Sequence, residues 1–577
     1  MPDNSGLLSQ VYVEIDGQPA PEEFVRDFLS VTVETSLHLP DVATMIINDR
    51  RGRWVDDERL APGKALLISA KVTQQRHTLF DGEIVELEPE YIPGKQHLTV
   101  RAFDRLHRLA RGRHVRSFQN VTDGDLVARI AKEANLQSKV ARTSRVHEYV
   151  LQDNQTNLQF LADRAAALGY LLYVREQTLH CEPPGSEASA VELHWGKTLG
   201  EFRPRLTTVG QADSATVRGW DPTTRQEIVG HAQNGKGAPL TTDDRSGSSL
   251  AKNAFNMSAE ALVTDRVVRS QTEADRLAQT VMDRVASNFI VAEGVGSGNP
   301  AVTAGASVQL VGLGKRFDGT YFVTGATHTY GHDAGYTTHF SVSGHRPATL
   351  LSCLRPEDGD EERRMPGLTI GIVTDNQDAS DLGRVKLRYP SLSADHASDW
   401  ARVAAPGGGP DRGLQFLPEV NDEVLVGFEH GDVHHPYVLG GLWNGKDAPP
   451  GKSSQVISSG NVQQRVIRSR LGHTITLDDS TDRPGITIVD KTGDNTIHID
   501  SSSNKLTLSV KGDLTLEAQG TVSIQGKSVQ VQATNDVQLS GASAAVQAKQ
   551  SLTLKGATAD LEGSTSTTVK GGSVSIN

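Results

Sequence analysis

The last part of the chain carries a short repeat of apolar and polar positions. From Leu506 onwards, two small apolar residues separated by one residue are followed by a polar residue or a glycine. Successive pairs begin seven or eight residues apart. Because side chains alternate between the two faces of a β-strand, this spacing predicts a stack of very short strands. The pairs are Leu506/Leu508, Leu514/Leu516, Val522/Ile524, Val529/Val531, Val537/Leu539, Ala544/Val546, Leu552/Leu554, Ala559/Leu561, Thr567/Val569 and Val574/Ile576.

One copy of this repeat offers too few apolar side chains for a core of its own. Residues 506–577 contain no aromatic residue and no proline. Three copies wound around one axis would bury the pairs and join their strand edges between chains. We therefore predict an intertwined trimeric β-helix, or β-prism. A single-chain β-solenoid is the alternative, although its coils usually need about 20 residues or more. The predicted trimer core is Leu506, Leu508, Leu514, Leu516, Val522, Ile524, Val529, Val531, Val537, Leu539, Leu552, Leu554, Val574 and Ile576.

The first 350 residues alternate in a way that predicts strands around a helical insertion. Strands are expected over most of residues 7–103, and this spacing suggests a small β-barrel. Helices are predicted at 123–134, with Thr122 as N-cap, and at 157–168, ending at Gly169. Strands return after residue 200, with a turn at Trp220–Pro222 and a helix over 272–287. The pattern therefore predicts a hub of two β-barrels with an insertion at about 115–170.

Two linkers and a third barrel complete the predicted order of domains. Residues 351–365 are strongly charged and are interpreted as a linker. Five short apolar segments within 366–446 are typical of an OB-fold barrel. A second linker at 447–460 precedes the needle, residues 461–577, in which strands at 474–477, 487–489 and 496–499 are predicted to lead into the repeat. The predicted fold class is mainly β: a tandem β-barrel hub with helical insertions, an OB-fold barrel and a C-terminal trimeric β-helix.

Composition narrows the class of protein. The 577 residues are too many for one core, so several domains are expected. A net charge of −12 argues against general nucleic-acid binding. The first residues have neither the basic nor the apolar region of a signal peptide, and no apolar run reaches 18 residues. We expect the chain to be made and assembled in the cytoplasm.

Four stretches, followed by the repeat, carry a family resemblance. They are Phe80–Ile84 with Val100–Leu106, Val217–Pro222, Gly319–Tyr321 with Thr327–Tyr330 and Gly335–Thr338, and Gly383–Leu387 with Gly431–Asp432 and Leu439–Asn444. With these stretches in this order, the chain resembles the VgrG-type spike proteins, which fuse the hub and needle of contractile injection systems and phage-like tails. The resemblance implies a homotrimer, with a hub that joins the inner tube and baseplate proteins to the needle, which crosses a target cell envelope. It also implies a small PAAR-type tip protein at the open end of the needle, and a phage tail-like particle that could be released or fired extracellularly.

The tip protein has a predicted docking site. The repeat ends without a closing cap, which would leave three unpaired strand edges and a small apolar patch in a trimer. We predict docking at Ser573, Val574, Ser575, Ile576 and Asn577. A bare end solvated through its serines and Asn577 is the alternative.

Three segments invite a chemical interpretation, and each has a simpler structural one. The histidines of His430–Pro436 could bind a metal ion, but Gly431-Asp432 is typical of a turn between strands. The arginines of Arg101–Arg116 could bind nucleic acid, but ion pairs within the hub or to a neighbouring baseplate subunit fit an acidic protein better. Ser249 and Lys252 match the S-x-x-K spacing of some acyl enzymes, but their surroundings predict a loop. We expect no catalytic residue, no cofactor, no metal and no nucleic-acid partner.

The predicted function is a structural, non-enzymatic spike at the front of a contractile particle. Two alternatives belong to other classes: a tail hub with cell-wall hydrolase activity, and a glycan-binding tail fibre. The hydrolase would need a catalytic carboxylate pair on an inserted domain, for which the sequence leaves no room. The fibre would need an aromatic-bearing head, which the repeat lacks.

Overall fold

The computed structural model describes residues 10–37, 39–72, 75–143, 145–184, 190–236, 239–331, 335–342, 367–392 and 397–576. They belong to two compact units, Met1–Ala448 and Pro449–Asn577. The predicted linker at 351–365 and Cys353 lie outside the described residues, and the other predicted domain boundaries stay predictions. None of the helices in the described ranges is long and apolar enough to cross a membrane.

The first part of the hub is a layer of antiparallel strands over an apolar core. Alternation along β3 and β4 places Val31, Val33 and Met45 in this core, where Trp54 also lies. Asp16 and Gly17 form a turn between the first two strands, and both have positive φ. The elements are β1 Gln10–Ile15, β2 Gln18–Pro19, α1 Glu22–Asp27, β3 Phe28–Ser36, β4 Val42–Asn48, β5 Ala65–Val72, β6 Gln75–Ile92 and β7 Lys95–Asp104.

The helical insertion has its own core and confirms both predicted helices. Thr122 forms a capping box with Asp125 at the start of α2. Gly169 ends α3 with a φ of 70°, a conformation that glycine adopts without strain. The elements are β8 His114–Thr122, α2 Asp123–Glu133, β9 Gln137–Val140, β10 Val146–Gln155, α3 Asn157–Leu168, β11 Leu171–Arg175 and β12 Thr178–Glu182.

The second part of the hub again consists of strands, with α5 packed on β15 and β16. The predicted helix at 272–287 is confirmed as α5. The turn predicted at Trp220–Pro222 begins later than predicted, because β15 and β16 remain paired as far as Asp221. The elements are β13 Val191–His194, β14 Leu199–Leu206, β15 Ser214–Asp221, β16 Gln226–Ala232, β17 Leu240–Thr241, α4 Gly247–Phe255, β18 Glu260–Val263, α5 Gln271–Ser287, β19 Ile290–Ser297, β20 Ser307–Val311, β21 Gly319–Phe322, β22 Gly325–Gly331 and β23 Gly335–Val342.

The two predicted barrels of the hub are only partly confirmed. Each part has a separate apolar core. Their strands, however, join in one 11-stranded sheet of order β14-β19-β23-β22-β3-β4-β7-β6-β5-β1-β2. The join is between β3 and β22, where Val33 lies opposite His328. β3 pairs with β4 on one side and with β22 on the other. The outer edge of β3 is therefore hydrogen-bonded to the second part of the hub, and the strands of the first part do not close on themselves at this edge.

The OB-type domain contains the five predicted strands in one sheet of order β25-β24-β29-β30-β26. Its core includes Val373, Leu387, Val424 and Val438, each at most 1% exposed. The strands are β24 Thr369–Asp375, β25 Lys386–Arg388, β26 Arg402–Val403, β29 Glu423–Phe428 and β30 Pro436–Gly441, with a small hairpin formed by β27 Gly408–Gly409 and β28 Arg412–Gly413.

The second unit begins with a helical turn, Ser453–Val456, and then consists of strands and bends. A five-stranded antiparallel sheet runs in chain order from β33 to β37. The predicted strands near 474–477, 487–489 and 496–499 are confirmed within it. Beyond it, the described residues 510–576 show bends every seven or eight residues and no strand. The strands are β31 Ile457–Ser458, β32 Asn461–Val462, β33 Gln464–Arg468, β34 Thr474–Asp478, β35 Gly485–Val489, β36 Thr496–Asp500 and β37 Lys505–Ser509.

Candidate assembly surface

One face of the five-stranded sheet is an apolar surface exposed to solvent. The register places its side chains in two rows that cross all five strands. The first row is Ile467, Ile475, Ile488, Ile497 and Leu508, and the second is Arg465, Leu477, Ile486, Ile499 and Leu506. The nine apolar side chains of these rows are 39% to 61% exposed. Monomeric proteins rarely expose such a continuous patch, so this face is a candidate interface.

The opposite face of the sheet is polar. Its middle row consists of Val466, Thr476, Thr487, His498 and Thr507. The Thr487 hydroxyl and His498 Nδ1 lie 3.0 Å apart in a cross-strand hydrogen bond. The two faces therefore differ in the way expected of a sheet with one face covered and one face in water.

The repeat continues the apolar face beyond the sheet. Leu506 and Leu508 end the two rows and also form the first pair of the repeat. The predicted core side chains from Leu514 to Ile576 are all more than half exposed in the single chain. Their backbones differ from those of the sheet, because none of the described residues 510–576 forms a backbone hydrogen bond with another backbone group of the chain.

These observations bear on the two readings of the repeat. A single-chain solenoid would pair its own coils and bury their apolar side chains. Residues 510–576 neither pair with one another through backbone hydrogen bonds nor bury their predicted core side chains. The predicted short strands are thus absent from the described repeat of the single chain, because a strand needs a neighbour to bond with. Their formation between copies, and the trimer core assigned to them, stay predictions.

The end of the repeat also presents apolar side chains. Val574 and Ile576 are 52% and 90% exposed, with Ser573 and Ser575 at the alternate positions. Asn577, the last residue of the predicted docking site, lies outside the described residues. The tip-docking assignment stays a prediction.

The His430–Pro436 segment is a turn that forms a hydrogen bond between the OB-type domain and the helical insertion. His430 and Gly431 both have positive φ, and β30 begins at Pro436, so the turn interpretation is confirmed. His434 Nδ1 lies 2.9 Å from Asp432, and His434 Nε2 accepts a 3.0 Å hydrogen bond from the backbone N–H of Leu151. Burial would raise the pKa of Asp432, but the hydrogen bond from His434 outweighs it, and the pKa of Asp432 is held at about 2.

The arginines between 101 and 116 mostly form ion pairs inside the hub, as the sequence predicts. Arg101 binds Glu86 at 2.6 Å, and Arg105 binds Asp81 at 2.8 Å. Arg116 binds Glu133 at 2.8 Å and also donates to Gln152 and Asn157. These side chains hold the insertion against the sheet and against its own helices rather than forming a free basic surface.

The loop predicted around Ser249 and Lys252 is wrong. Both residues lie in α4, which Ser246 caps by accepting a hydrogen bond from the N–H of Ser249. The Ser249 hydroxyl donates to the Ser246 carbonyl at 2.8 Å, as serines often do within helices. Serine and glycine at a helix N-terminus were thus mistaken for loop residues. Within the described ranges, no cluster of three or more His, Cys, Asp or Glu side chains suits a metal ion.

The predicted trimer core begins at Leu506 and omits the part of the apolar surface that precedes it. The same pairing at i and i+2 is present there, in Ile475/Leu477, Ile486/Ile488 and Ile497/Ile499. These pairs begin 11, 11 and 9 residues before the next one, because longer turns separate the strands. A search for the pair without a fixed spacing would have found them.

Comparison with known proteins finds two family matches, one in the hub and one in the OB-type domain. The family described as "Alg8 N-terminal domain" matches residues 5–332, and the family described as "Type VI secretion system/phage-baseplate injector OB domain" matches residues 369–443. The Type VI secretion system spike protein VgrG1a of Pseudomonas aeruginosa is 22% identical over 383 residues, which are 59% of this chain and 56% of the relative. The spike protein VgrG5 of the same species is 33% identical over 125 residues, 20% of this chain and 15% of the relative.

A solved structure shows that the fold is shared more widely than the sequence. The structure titled "Francisella PdpA-VgrG Complex, Lidded" includes a chain with a TM-score of 0.53 and 9% identity, over 88% of this chain and 81% of that one. The chain spans about half the length of VgrG1a and a smaller share of VgrG5. Since the first family matches more than half of the residues, this chain belongs to the family described as Alg8 N-terminal domain, and it is similar to spike proteins of the VgrG type.

Proposed function

We propose that this protein is a trimeric spike at the front of a contractile injection particle. Three copies would close the two apolar rows and the repeat around one axis, and the hub would join this needle to the inner tube and baseplate proteins. Contraction of the particle would then drive the needle through a target envelope. The work of the protein would be mechanical.

The exposed apolar surface of the second unit carries this proposal. Full burial of a Val, Leu or Ile side chain is worth about 1.5–3 kcal/mol, so burying the exposed part of each row residue would give about 1 kcal/mol. Nine such residues would contribute about 9 kcal/mol per chain before any gain from the repeat. Within the described ranges of one chain this surface stays exposed, whereas three copies would bury it along its whole length.

The proposed partners follow from the same surface and from the relatives. The end of the repeat at 573–577 would bind a small tip protein of the PAAR type, one per trimer. The hub would bind tube and baseplate proteins, and the envelope of the target cell would be a transient partner. Assembly would take place in the cytoplasm, and no nucleic acid would be involved.

We also propose that the spike has no enzymatic activity. Its relatives are named as spike proteins, and its histidine and serine motifs are used in a turn and a helix cap. Incubation of the purified protein with peptidoglycan tests this part of the proposal. We expect no soluble fragments, and reproducible release of muropeptides would refute a purely mechanical role.

The assembly part is tested by electron cryo-microscopy of the purified full chain. We expect a particle with threefold symmetry in which a broad hub carries a narrow rod. A monomeric particle without a rod would overturn the proposed function.

A further inference from the structure

The apolar surface consists of two parts whose backbones are bonded differently. The strands at 464–509 pair with one another within one chain, from Gln464 opposite Asp478 to Asp500 opposite Lys505. The described residues 510–576 have no such pairing. The sheet can therefore form before other copies arrive, whereas the repeat needs them to satisfy its backbone groups.

The sequence of the repeat does not specify how three copies align with one another. Its units are seven or eight residues long and bury chemically similar pairs, so a slip of one unit between chains would exchange one small apolar pair for another. Registers specified by such uniform strands are prone to slippage. A correctly aligned trimer thus needs a feature that occurs once in the chain.

The five-stranded sheet has such features. Arg465 is the only charged side chain in the two rows; it lies opposite Leu477 and forms an ion pair with Asp479. Gly485 packs so closely against the next strand that a Cβ atom there would lie 2.2 Å from the carbonyl oxygen of Ile499. Arg465 therefore marks one end of the apolar face, and Gly485, on the polar face, allows a close approach between two of its strands.

We propose that the two-row apolar face at 464–509 docks against the same face of two further copies, and that this contact nucleates the trimer and sets the alignment of the repeat. Two observations indicate copies of the chain rather than another partner. The rows run without interruption into the repeat through Leu506 and Leu508, and they contain no charge apart from Arg465 at one end. This inference rests on the proposed trimeric function and adds an order of assembly to it.

The test compares the same substitution in the two parts of the surface of the full chain. Ile488→Asp places a charge in the middle of the first row, and Leu554→Asp places one in the repeat. Thr487→Asp is the matched control, since Thr487 neighbours Ile488 on the polar face. Each protein is unfolded in denaturant and diluted, and the rate of trimer recovery is followed by native mass spectrometry.

A substitution in the part of the surface that nucleates the trimer should slow the formation of the trimer. We expect Ile488→Asp to slow trimer recovery at least about ten-fold, while Leu554→Asp and Thr487→Asp stay within about two-fold of the unmodified protein. Leu554→Asp should instead make the distal repeat sensitive to protease. Because a charge could prevent folding altogether, Ile488→Ala and Leu554→Ala repeat the comparison, with only the former expected to slow recovery.

The results distinguish failure of the nucleation proposal from failure of the proposed trimeric function. Equal slowing by the changes at 488 and 554, or recovery of Ile488→Asp and Ile488→Ala at the unmodified rate, would overturn the nucleation proposal and leave the trimeric spike standing. An unmodified protein that never forms trimers would refute the proposed function itself.

Discussion

A charge at the predicted axis of the needle is the most informative perturbation of the trimer. Leu552 belongs to the predicted trimer core and is 54% exposed in the single chain. In a trimer, the change Leu552→Asp would bring three carboxylates together near the axis. At neutral pH we expect the repeat to lose its packing around this position and the trimer to lose stability, because unpaired buried charges are strongly unfavourable.

The expected magnitude follows from the exposed fraction. Burying the exposed half of a leucine is worth about 1 kcal/mol, or about 3 kcal/mol for three chains. The effective penalty of burying an unpaired ion is several kcal/mol, so three of them raise the total loss to about 10 kcal/mol or more. Protonation removes the charge, so at a pH well below 4 the loss should shrink towards the smaller, apolar part.

The assay combines mass and thermal stability. Sedimentation of Leu552→Asp and of Thr553→Asp is compared at neutral pH and at low pH, together with the unfolding temperature. Thr553 is the matched control, because the adjacent residue of a strand lies on the opposite face. A Leu552→Asp protein that stays trimeric with an unchanged unfolding temperature would refute the inward placement of this residue.

Three further predictions concern the hub, the tip and the response to pH. A fragment of residues 1–350 should keep its fold by circular dichroism but lose most of the stability of the trimer, since the hub cores are complete within one chain; an unfolded fragment would contradict this division. Deleting residues 571–577 should abolish co-purification of a tip protein while the trimer persists, and unchanged tip binding would place the docking site elsewhere. Burial raises the pKa of Asp41 to about 7, so its contribution to stability is full below about pH 4 and is lost as the pH rises through 7. Asp41→Asn should therefore flatten the fall in unfolding temperature between pH 4 and pH 7, and an unchanged slope would assign that fall to other groups.

The local elements of the hub could be predicted from the sequence because local rules determine them. The helix at 157–168 is fixed by a capping residue before it and by Gly169 after it, and both act within a few residues. The alternation of Val31 and Val33 likewise predicts β3. The turn at His430–Pro436 was also found, since glycine and proline restrict the backbone directly.

Features that depend on distant partners could not be predicted. The pairing of β3 with β22 joins residues almost 300 positions apart, and nothing in either strand specifies the other. The helix at Ser249 was missed because serine is common both in loops and at helix N-termini. The apolar pairs before Leu506 were missed because turns of different length disturb their spacing.

The mass of the intact, unmodified full chain in solution tests the central claim most directly. The chain has a mass of 62.1 kDa. If three copies share one apolar surface, native mass spectrometry and sedimentation will both give three times this value, and dilution through the micromolar range will not change it. A stable monomer at the same concentrations, with the apolar rows still exposed, would contradict the account.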